Sequence, residues 1–161
     1  MLDSMVGHDI GDPLSFNSKT GYFIESLKKD LNPISIAVSE DLNLVPVDSE
    51  VRKVFKTAIK KLFKLGLDIN DDIPNFSGVL DAFKTLRGVL MASMLGDLVK
   101  THKDSILEDI RKNVQVGFDA KSLDIIEAEK IRRKLIINMD NFFRKHNFLI
   151  CPSASVSPFS V

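Results

Sequence analysis

Residue types that carry out chemistry are sparse in this chain and stand apart from one another. The three histidines, His8, His102 and His146, each lie alone in their segments, and no two have the i, i+4 spacing of a helical metal pair. The sequence therefore predicts no metal site. We expect a turn residue, a loop residue and a helix-terminal cation, in that order.

An acidic run at residues 68–72 has oxygen ligands at alternating positions, as a calcium-binding loop does. The sixth position, however, is Ile73, where such a loop requires glycine for its sharp turn. The twelfth position is Val79, where the loop requires a bidentate glutamate. We reject a calcium site and expect a solvated acidic loop.

Possible nucleophiles lie near the carboxyl terminus, at Cys151, Ser153, Ser155 and Ser157. No histidine partner can be assigned to Cys151 from the sequence, and a small buried thiol at the end of a strand is the favoured interpretation. The chain has no G-x-S-x-G motif and no two adjacent glycines. From the residues alone, no catalytic constellation is predicted.

Composition limits the class of protein. The chain has 161 residues, 44% of them hydrophobic, and its 22 basic residues balance 22 acidic ones. This length suits one soluble domain, and the charge balance argues against binding to nucleic acid. A single cysteine excludes an intramolecular disulfide, and neither a signal peptide nor a membrane span is recognised. We expect a cytoplasmic protein.

Hydrophobic patterning predicts the elements that would position these residues. Short strands are expected at 34–38, 67–69 and 148–151. A helix begins at the cap Asp48 and stops at Gly66, and a second runs from Phe76 to Leu95 and ends at Gly96. A weaker third helix passes through 106–114, and Ser122 caps the last. The fold class is helix-rich α/β, with three or four helices packed on a few short strands.

One face of the first long helix is basic. A basic amphipathic helix can dock on anionic lipid or in the groove of a partner protein. Because the whole chain is neutral and has no tryptophan, we favour a solvated face opposite the apolar stripe. The basic residues are Arg52, Lys53, Lys56, Lys60, Lys61 and Lys64.

Four segments, in this order, resemble the amidase signature family of serine hydrolases. Residues 2–15 look like "LDxxAGxDxxDPxS", and residues 36–51 are similar to "IAxSxDLGxxPVDPEV". Residues 66–69 resemble "GHxV", and residues 142–161 look like "FFxxYDLLLCPTxxxPxFPV". The resemblance covers most of the chain and implies that residues 1–161 form a single partial domain of the amidase signature fold.

The resemblance implies amide hydrolysis by a serine nucleophile, a second serine and a lysine base, with no cofactor. The family carries these groups upstream of the matching segments, so no catalytic residue can be transferred. Cys151, Pro152 and Ser153 match the family's Cys-Pro-Thr, which lies along the substrate pocket. Ser155 and Ser157 depart from the family's pattern, which leaves the shape of that pocket undefined.

We therefore expect a fragment of such a hydrolase that supplies helical cover and a pocket wall and is not catalytic alone. The alternative is a helical interaction or oligomerisation module, whose bare apolar faces pair with the missing catalytic half or with a second copy. A weaker option is the amidotransferase branch of the family. A small amide is the expected substrate of the parent enzyme, with no nucleic acid and no membrane as partner.

Overall fold

The computed structural model describes residues 1–12, 14–15, 17, 21–28 and 33–158. The chain divides into two compact units, Met1–Pro33 and Ile34–Val161. The expectation of one domain over residues 1–161 therefore stays a prediction.

The first unit is built from turns and one short helix, as its content of Gly, Asp and Ser predicts. A 3-10 turn spans Leu2–Ser4, and helix α1 spans Tyr22–Ser26. The Asp3 carboxylate accepts hydrogen bonds from the backbone N–H groups of Phe23 and Ile24, both at 3.0 Å. These are first-turn donors of α1 that have no partner within the helix. The segment from residue 13 to 20 lies partly outside the described residues.

The second unit contains a three-stranded parallel sheet. Strands β1 (Ser35–Val38), β2 (Asp68–Asp71) and β3 (Phe148–Ile150) lie in the order β2-β1-β3. Ile36 pairs with Ile69 on one side and with Phe148 on the other. The central strand therefore has neighbours on both edges, and its Ala37 is 0% exposed. The strand predicted at 67–69 continues to Asp71, so the acidic segment that we expected to be a loop is largely strand.

Helix α2, Ser49–Phe63, connects β1 to β2. The predicted cap is confirmed, because Asp48 Oδ1 accepts a hydrogen bond from the Glu50 N–H at 2.8 Å. Gly66 has the predicted left-handed backbone, with a φ of 76°. No residue of α2, all of which is described, is buried within the chain. The apolar stripe of this helix therefore faces solvent in part.

Helices α3 (Val79–Thr101), α4 (Glu108–Asp119) and α5 (Ser122–Phe143) form the connection from β2 to β3. The prediction that Gly96 ends the second helix is wrong, because α3 continues to Thr101 and Gly96 is buried within it. A Cβ atom at Gly96 would lie 2.9 Å from Phe118 Cζ. This glycine permits close approach of α4 and does not terminate α3.

The predicted cap of the last helix also needs correction. Ser122 is the first residue of α5, and Lys121 precedes it as the N-cap. The Lys121 N–H donates to Asp124 Oδ2 at 3.0 Å. The Asp124 carboxylate, which also lies near the positive end of the helix dipole, therefore takes the capping role that we assigned to the Ser122 hydroxyl.

The crossing of α3 and α4 depends on two glycines in direct backbone contact. A Cβ atom at Gly88 would lie 2.7 Å from Val116 Cγ1, and one at Gly117 would overlap the Gly88 carbonyl. The neighbouring Val114 is completely buried. Since the obstacle at Gly117 is backbone, it cannot move aside as a side chain does, and the helices must separate to admit a methyl group.

Gly117→Ala tests this contact, because the sign of the change in the free energy of unfolding depends on whether the helices touch. In a solvated helix the change adds about 1 kcal/mol of stability, because alanine has the higher helix propensity. Here we expect a loss of about 1–3 kcal/mol or more from overpacking. The measurement is chemical denaturation, with the exposed Lys112→Ala on the same helix as the control. A Gly117→Ala variant as stable as the parent would show that the helices are not in contact.

Candidate functional site

The candidate site lies at the carboxyl ends of β1 and β3. The Ser39 N–H donates to the Ile150 carbonyl at 3.0 Å, so the segments that leave the two strands start side by side. Further along, the Asp48 N–H donates to the Ser155 carbonyl at 2.8 Å. Because ligands of open parallel sheets bind outside the carboxyl ends of the strands, this edge is the candidate binding site.

A small pocket of about 200 Å³ lies between these two segments. One side is formed by residues of the loop after β1, and the other by Cys151 to Ser155. The structure thus brings together the three residues predicted from the resemblance, Cys151, Pro152 and Ser153. Their part in binding a substrate stays a prediction.

The thiol of Cys151 differs from expectation. We predicted a small buried thiol at a strand end, but Cys151 is exposed. The reason is the length of β3, which ends at Ile150, opposite Val38. Cys151 is therefore the first residue beyond the paired segment, where the chain passes along the pocket. Its side chain is exposed beside the pocket and is not part of the core.

Arg52 holds the loop that forms the first side of the pocket. Its Nε donates to the Val47 carbonyl at 3.0 Å, and its guanidinium pairs with Glu40 at 3.0 Å and with Asp41 at 3.4 Å. Lys56 adds a second contact to Glu40 at 3.0 Å. We expected this basic face to be simply solvated. That is wrong for Arg52, because its side chain contacts both ends of the loop. Lys56 pairs with Glu40 but is 60% exposed, so it stays solvated as expected.

A tight turn shapes the same loop. The Leu44 N–H donates to the Asp41 carbonyl at 3.0 Å, and the two central residues, Leu42 and Asn43, have φ values of 54° and 53°. Asparagine tolerates this left-handed conformation, whereas for leucine it costs about 1–2 kcal/mol. Sequence reasoning missed this turn. The signal was Asn43, which stands where the resembling family pattern has glycine.

His146 is the largest departure from the sequence prediction. It follows α5, as expected, but it is 8% exposed and is not a free terminal cation. Its Nε2 lies 2.8 Å from Asp72 Oδ2, and its Nδ1 lies 3.1 Å from Ser35 Oγ. Asn70 Nδ2 donates to the same hydroxyl at 3.4 Å. The imidazole thus connects a side chain at the start of β1 with one just after β2.

The hydrogen bond from His146 lowers the pKa of Asp72 from its ordinary value of 3.8, and the positive charges of His146 and Lys145 act in the same direction. Partial burial opposes the shift. Asp72 is therefore a carboxylate near neutral pH and can only accept hydrogen bonds.

The other two histidines have no comparable surroundings. His8 is exposed in the first unit. His102 directly follows α3, where its Nδ1 lies 2.8 Å from Thr101 Oγ1. Within the described part of the chain, no three or more His, Cys, Asp or Glu side chains are grouped so that they could hold a metal ion. Across the same residues, no helix has the length and apolar character needed to cross a membrane.

Comparison with known proteins identifies the family and agrees with the fold. The sequence model of the family described as Amidase matches residues 1–161, and the chain belongs to this family. The structure superposes on a bacterial aryl acylamidase of the amidase signature family with a TM-score of 0.78, at 18% identity, over 95% of this chain and 33% of the other. A complex of 6-aminohexanoate cyclic dimer hydrolase with substrate gives 0.71, at 15% identity over 94% and 34%.

Two kinds of relative share sequence with the chain. A glutamyl-tRNA(Gln) amidotransferase subunit of Desulforamulus reducens is 22% identical over 186 residues, which cover 100% of this chain and 38% of the relative. An acylamidase of Rhodococcus erythropolis is 36% identical over 76 residues, which cover 47% of this chain and 16% of the relative. The chain therefore spans well under half of either relative. The predicted fold class, a helix-rich partial α/β fold, is confirmed.

The ion pair of Asp72 predicts a specific dependence of stability on pH. Because the pKa of Asp72 is lower in the folded state, its contribution is complete above the ordinary pKa of 3.8 and is lost as pH falls through the lowered value. The side chain is 48% exposed, so solvent screening limits the effect to less than about 1 kcal/mol.

Asp72→Asn is the variant that tests this dependence, because it keeps an oxygen for the hydrogen bond but removes the charge. We expect the variant to have a lower free energy of unfolding than the parent at about pH 5 to 7, which lies above the ordinary carboxyl pKa. This difference should vanish on further acidification. Urea denaturation at each pH measures it. Asp71→Asn is the matched control. A deficit that persists unchanged in acid would exclude the charge as its cause.

Proposed function

We propose that this chain is part of an amide hydrolase of the amidase signature family, in which its helices cover the sheet and residues 151–155 form one wall of the substrate pocket. The observation that supports this is the position of Cys151, Pro152 and Ser153. They follow β3 directly and border a pocket at the carboxyl edge of a parallel sheet.

The chemistry of the pocket suits a small amide. Leu42, Leu44 and Val45 supply apolar surface for a hydrocarbon substituent. The exposed hydroxyl of Ser153 can donate to an amide carbonyl or accept from an amide N–H. The residues that border the pocket include no lysine and no histidine. In the complete enzyme, the nucleophile and its base would therefore come from a region that this chain does not contain, since the chain covers 38% of the amidotransferase relative.

Titration of the chain with a simple aryl amide, acetanilide, tests the pocket. A ligand of this size is expected to bind with a Kd on the order of 1 mM, seen as shifts of the backbone amide resonances of Cys151, Ser153, Ala154 and Ser155. Ser153→Leu fills the pocket and should abolish binding. Ser157→Leu makes the same change outside the pocket and should leave binding intact.

Equal affinity of the two variants would contradict the proposed wall. Release of aniline by the chain gives an independent measurement, and we expect none above background. Amide cleavage that disappears in Cys151→Ala or Ser153→Ala would show that the chain is catalytic by itself. The proposal that it supplies only a wall of the pocket would then be wrong.

The branch of the family is a separate proposal. Relatives that align with the whole chain are named amidotransferase subunits, whereas the acylamidase aligns with about half of it at higher identity. We favour the acylamidase side, because 36% identity over 76 residues is the stronger local similarity. Binding of acetanilide supports this assignment. Its absence, with the fold intact, favours the amidotransferase branch.

A helical interaction module is the second candidate function, and the exposure of apolar side chains favours it. On α2, Val54 is 70% exposed and Phe63 is 67% exposed. On α3, Phe83, Leu90 and Met94 are more than half exposed. Exposed apolar side chains that form one contiguous patch mark sites of protein interaction. The partner would be either a catalytic half of the enzyme or a second copy of the chain.

Light scattering at increasing protein concentration tests self-association. If the second candidate is correct, the mass should rise above 18.0 kDa, and Val54→Asp or Leu90→Asp should lower it again, according to which helix forms the contact. Lys112→Asp, on the solvated side of α4, is the control. A mass that stays at the monomer value throughout would exclude self-association.

A further inference from the structure

A serine, a histidine and an aspartate form a continuous hydrogen-bonded series in the second unit. Ser35 Oγ lies 3.1 Å from His146 Nδ1, and His146 Nε2 lies 2.8 Å from Asp72 Oδ2. The three residues are separated by 37 to 111 positions in sequence, so only the fold brings them together. The same three side chains, in the same connectivity, activate the nucleophile of serine hydrolases, although there the two imidazole nitrogens are exchanged.

We propose that Ser35 is an activated serine, with His146 as its general base and Asp72 as the residue that positions the base, and that it reacts with small acyl and sulfonyl electrophiles. This site is independent of the pocket beside Ser153. It contains a nucleophile, a base and an orienting carboxylate within hydrogen-bonding distance, which is the set that such a reaction requires.

The tautomer of His146 follows from its partners. A carboxylate has no proton to donate, so the Nε2 that faces Asp72 must carry the hydrogen. In the neutral ring Nδ1 then has a free lone pair, and the hydroxyl hydrogen of Ser35 is its donor. The lowered pKa of Asp72 is consistent with this arrangement. The ring can therefore accept the hydroxyl proton of Ser35, and removal of this proton makes the serine oxygen nucleophilic.

The surroundings hold the reacting groups in place. The Ser35 N–H donates to Asn147 Oδ1 at 2.8 Å, and the Asn147 N–H donates to the Ser35 carbonyl at 2.8 Å. The imidazole packs against the Phe142 ring, with centroids 4.7 Å apart. Two hydrogen bonds fix the backbone of the nucleophile, and burial fixes the base. Such positioning lowers the entropic cost of reaching a reactive geometry.

The hydroxyl itself retains access to a reagent. Ser35 is only partly buried. Its oxygen has two lone pairs, and the donor Asn70 Nδ2 at 3.4 Å engages one of them. The second lone pair remains for attack, and the partial burial of Ser35 favours small electrophiles.

The reaction with phenylmethanesulfonyl fluoride balances as a simple substitution. Ser35 Oγ attacks sulfur, an S–O bond forms, and the S–F bond breaks with release of fluoride. The hydroxyl proton passes to His146 Nδ1, where the Asp72 carboxylate stabilises the imidazolium, and it is then lost to solvent. The product is a sulfonyl ester on Ser35.

Mass spectrometry of the intact chain after exposure to phenylmethanesulfonyl fluoride tests the proposal. We expect one adduct, located on the peptide that contains Ser35, formed at least about 100-fold faster than any adduct on the exposed Ser93. Ser35→Ala should remove the adduct. His146→Gln should reduce the rate to that of Ser93, and Asp72→Asn should reduce it about tenfold or more.

Two further measurements separate activation from a merely structural role. Circular dichroism must show that each variant is folded, and the Asp72→Asn rate is compared at a temperature where that variant is fully native. In His146→Gly, added imidazole should restore labelling of Ser35, which a purely structural histidine would not permit. Labelling that is equal at Ser35 and Ser93, or that is unchanged in Asp72→Asn and His146→Gln, would overturn the proposal.

Discussion

The sheet of this protein depends on one buried imidazole. His146 lies two residues before β3, and its two nitrogens lie within hydrogen-bonding distance of side chains at the start of β1 and just after β2. A single ring that is 8% exposed therefore links the start of β1 to the segments next to β2 and β3. A buried polar group of this kind is costly unless both of its nitrogens have partners. Here both do, so the network fixes the placement of the strands as well as contributing to stability.

Placement of the strands in turn determines the candidate pocket. Because β1 and β3 are parallel neighbours, their carboxyl ends lie at the same edge, and the chain leaves both strands in the same direction. The loop after β1 has its own constraint, since Arg52 reaches from α2 to Glu40, Asp41 and the Val47 carbonyl. A helix that contributes no buried residue to the core still positions one side of the pocket. Helix α2 thus contributes to the pocket through Arg52 and not through buried apolar side chains.

Much of the architecture could be predicted from local signals, and the failures share a cause. Asp48 and Gly66 act through their own backbone neighbours, so the sequence alone indicated both ends of α2 closely. Gly96 and His146 were misassigned because their roles depend on residues distant in sequence, Phe118 in one case and Ser35 and Asp72 in the other. The position of Cys151, Pro152 and Ser153 came from family resemblance, since spacing carries no information about a pocket formed by two separate segments.

The strand order has a consequence for synthesis of the chain. The central strand β1 is made before its neighbour β3, from which it is separated by the whole of α3, α4 and α5, and Ser35 pairs with Asn147 across 112 positions. At ordinary translation speeds, roughly 6–22 s pass between the two segments. During that interval one edge of β1 has no partner strand, and its unpaired N–H and C=O groups are open to pairing with other chains.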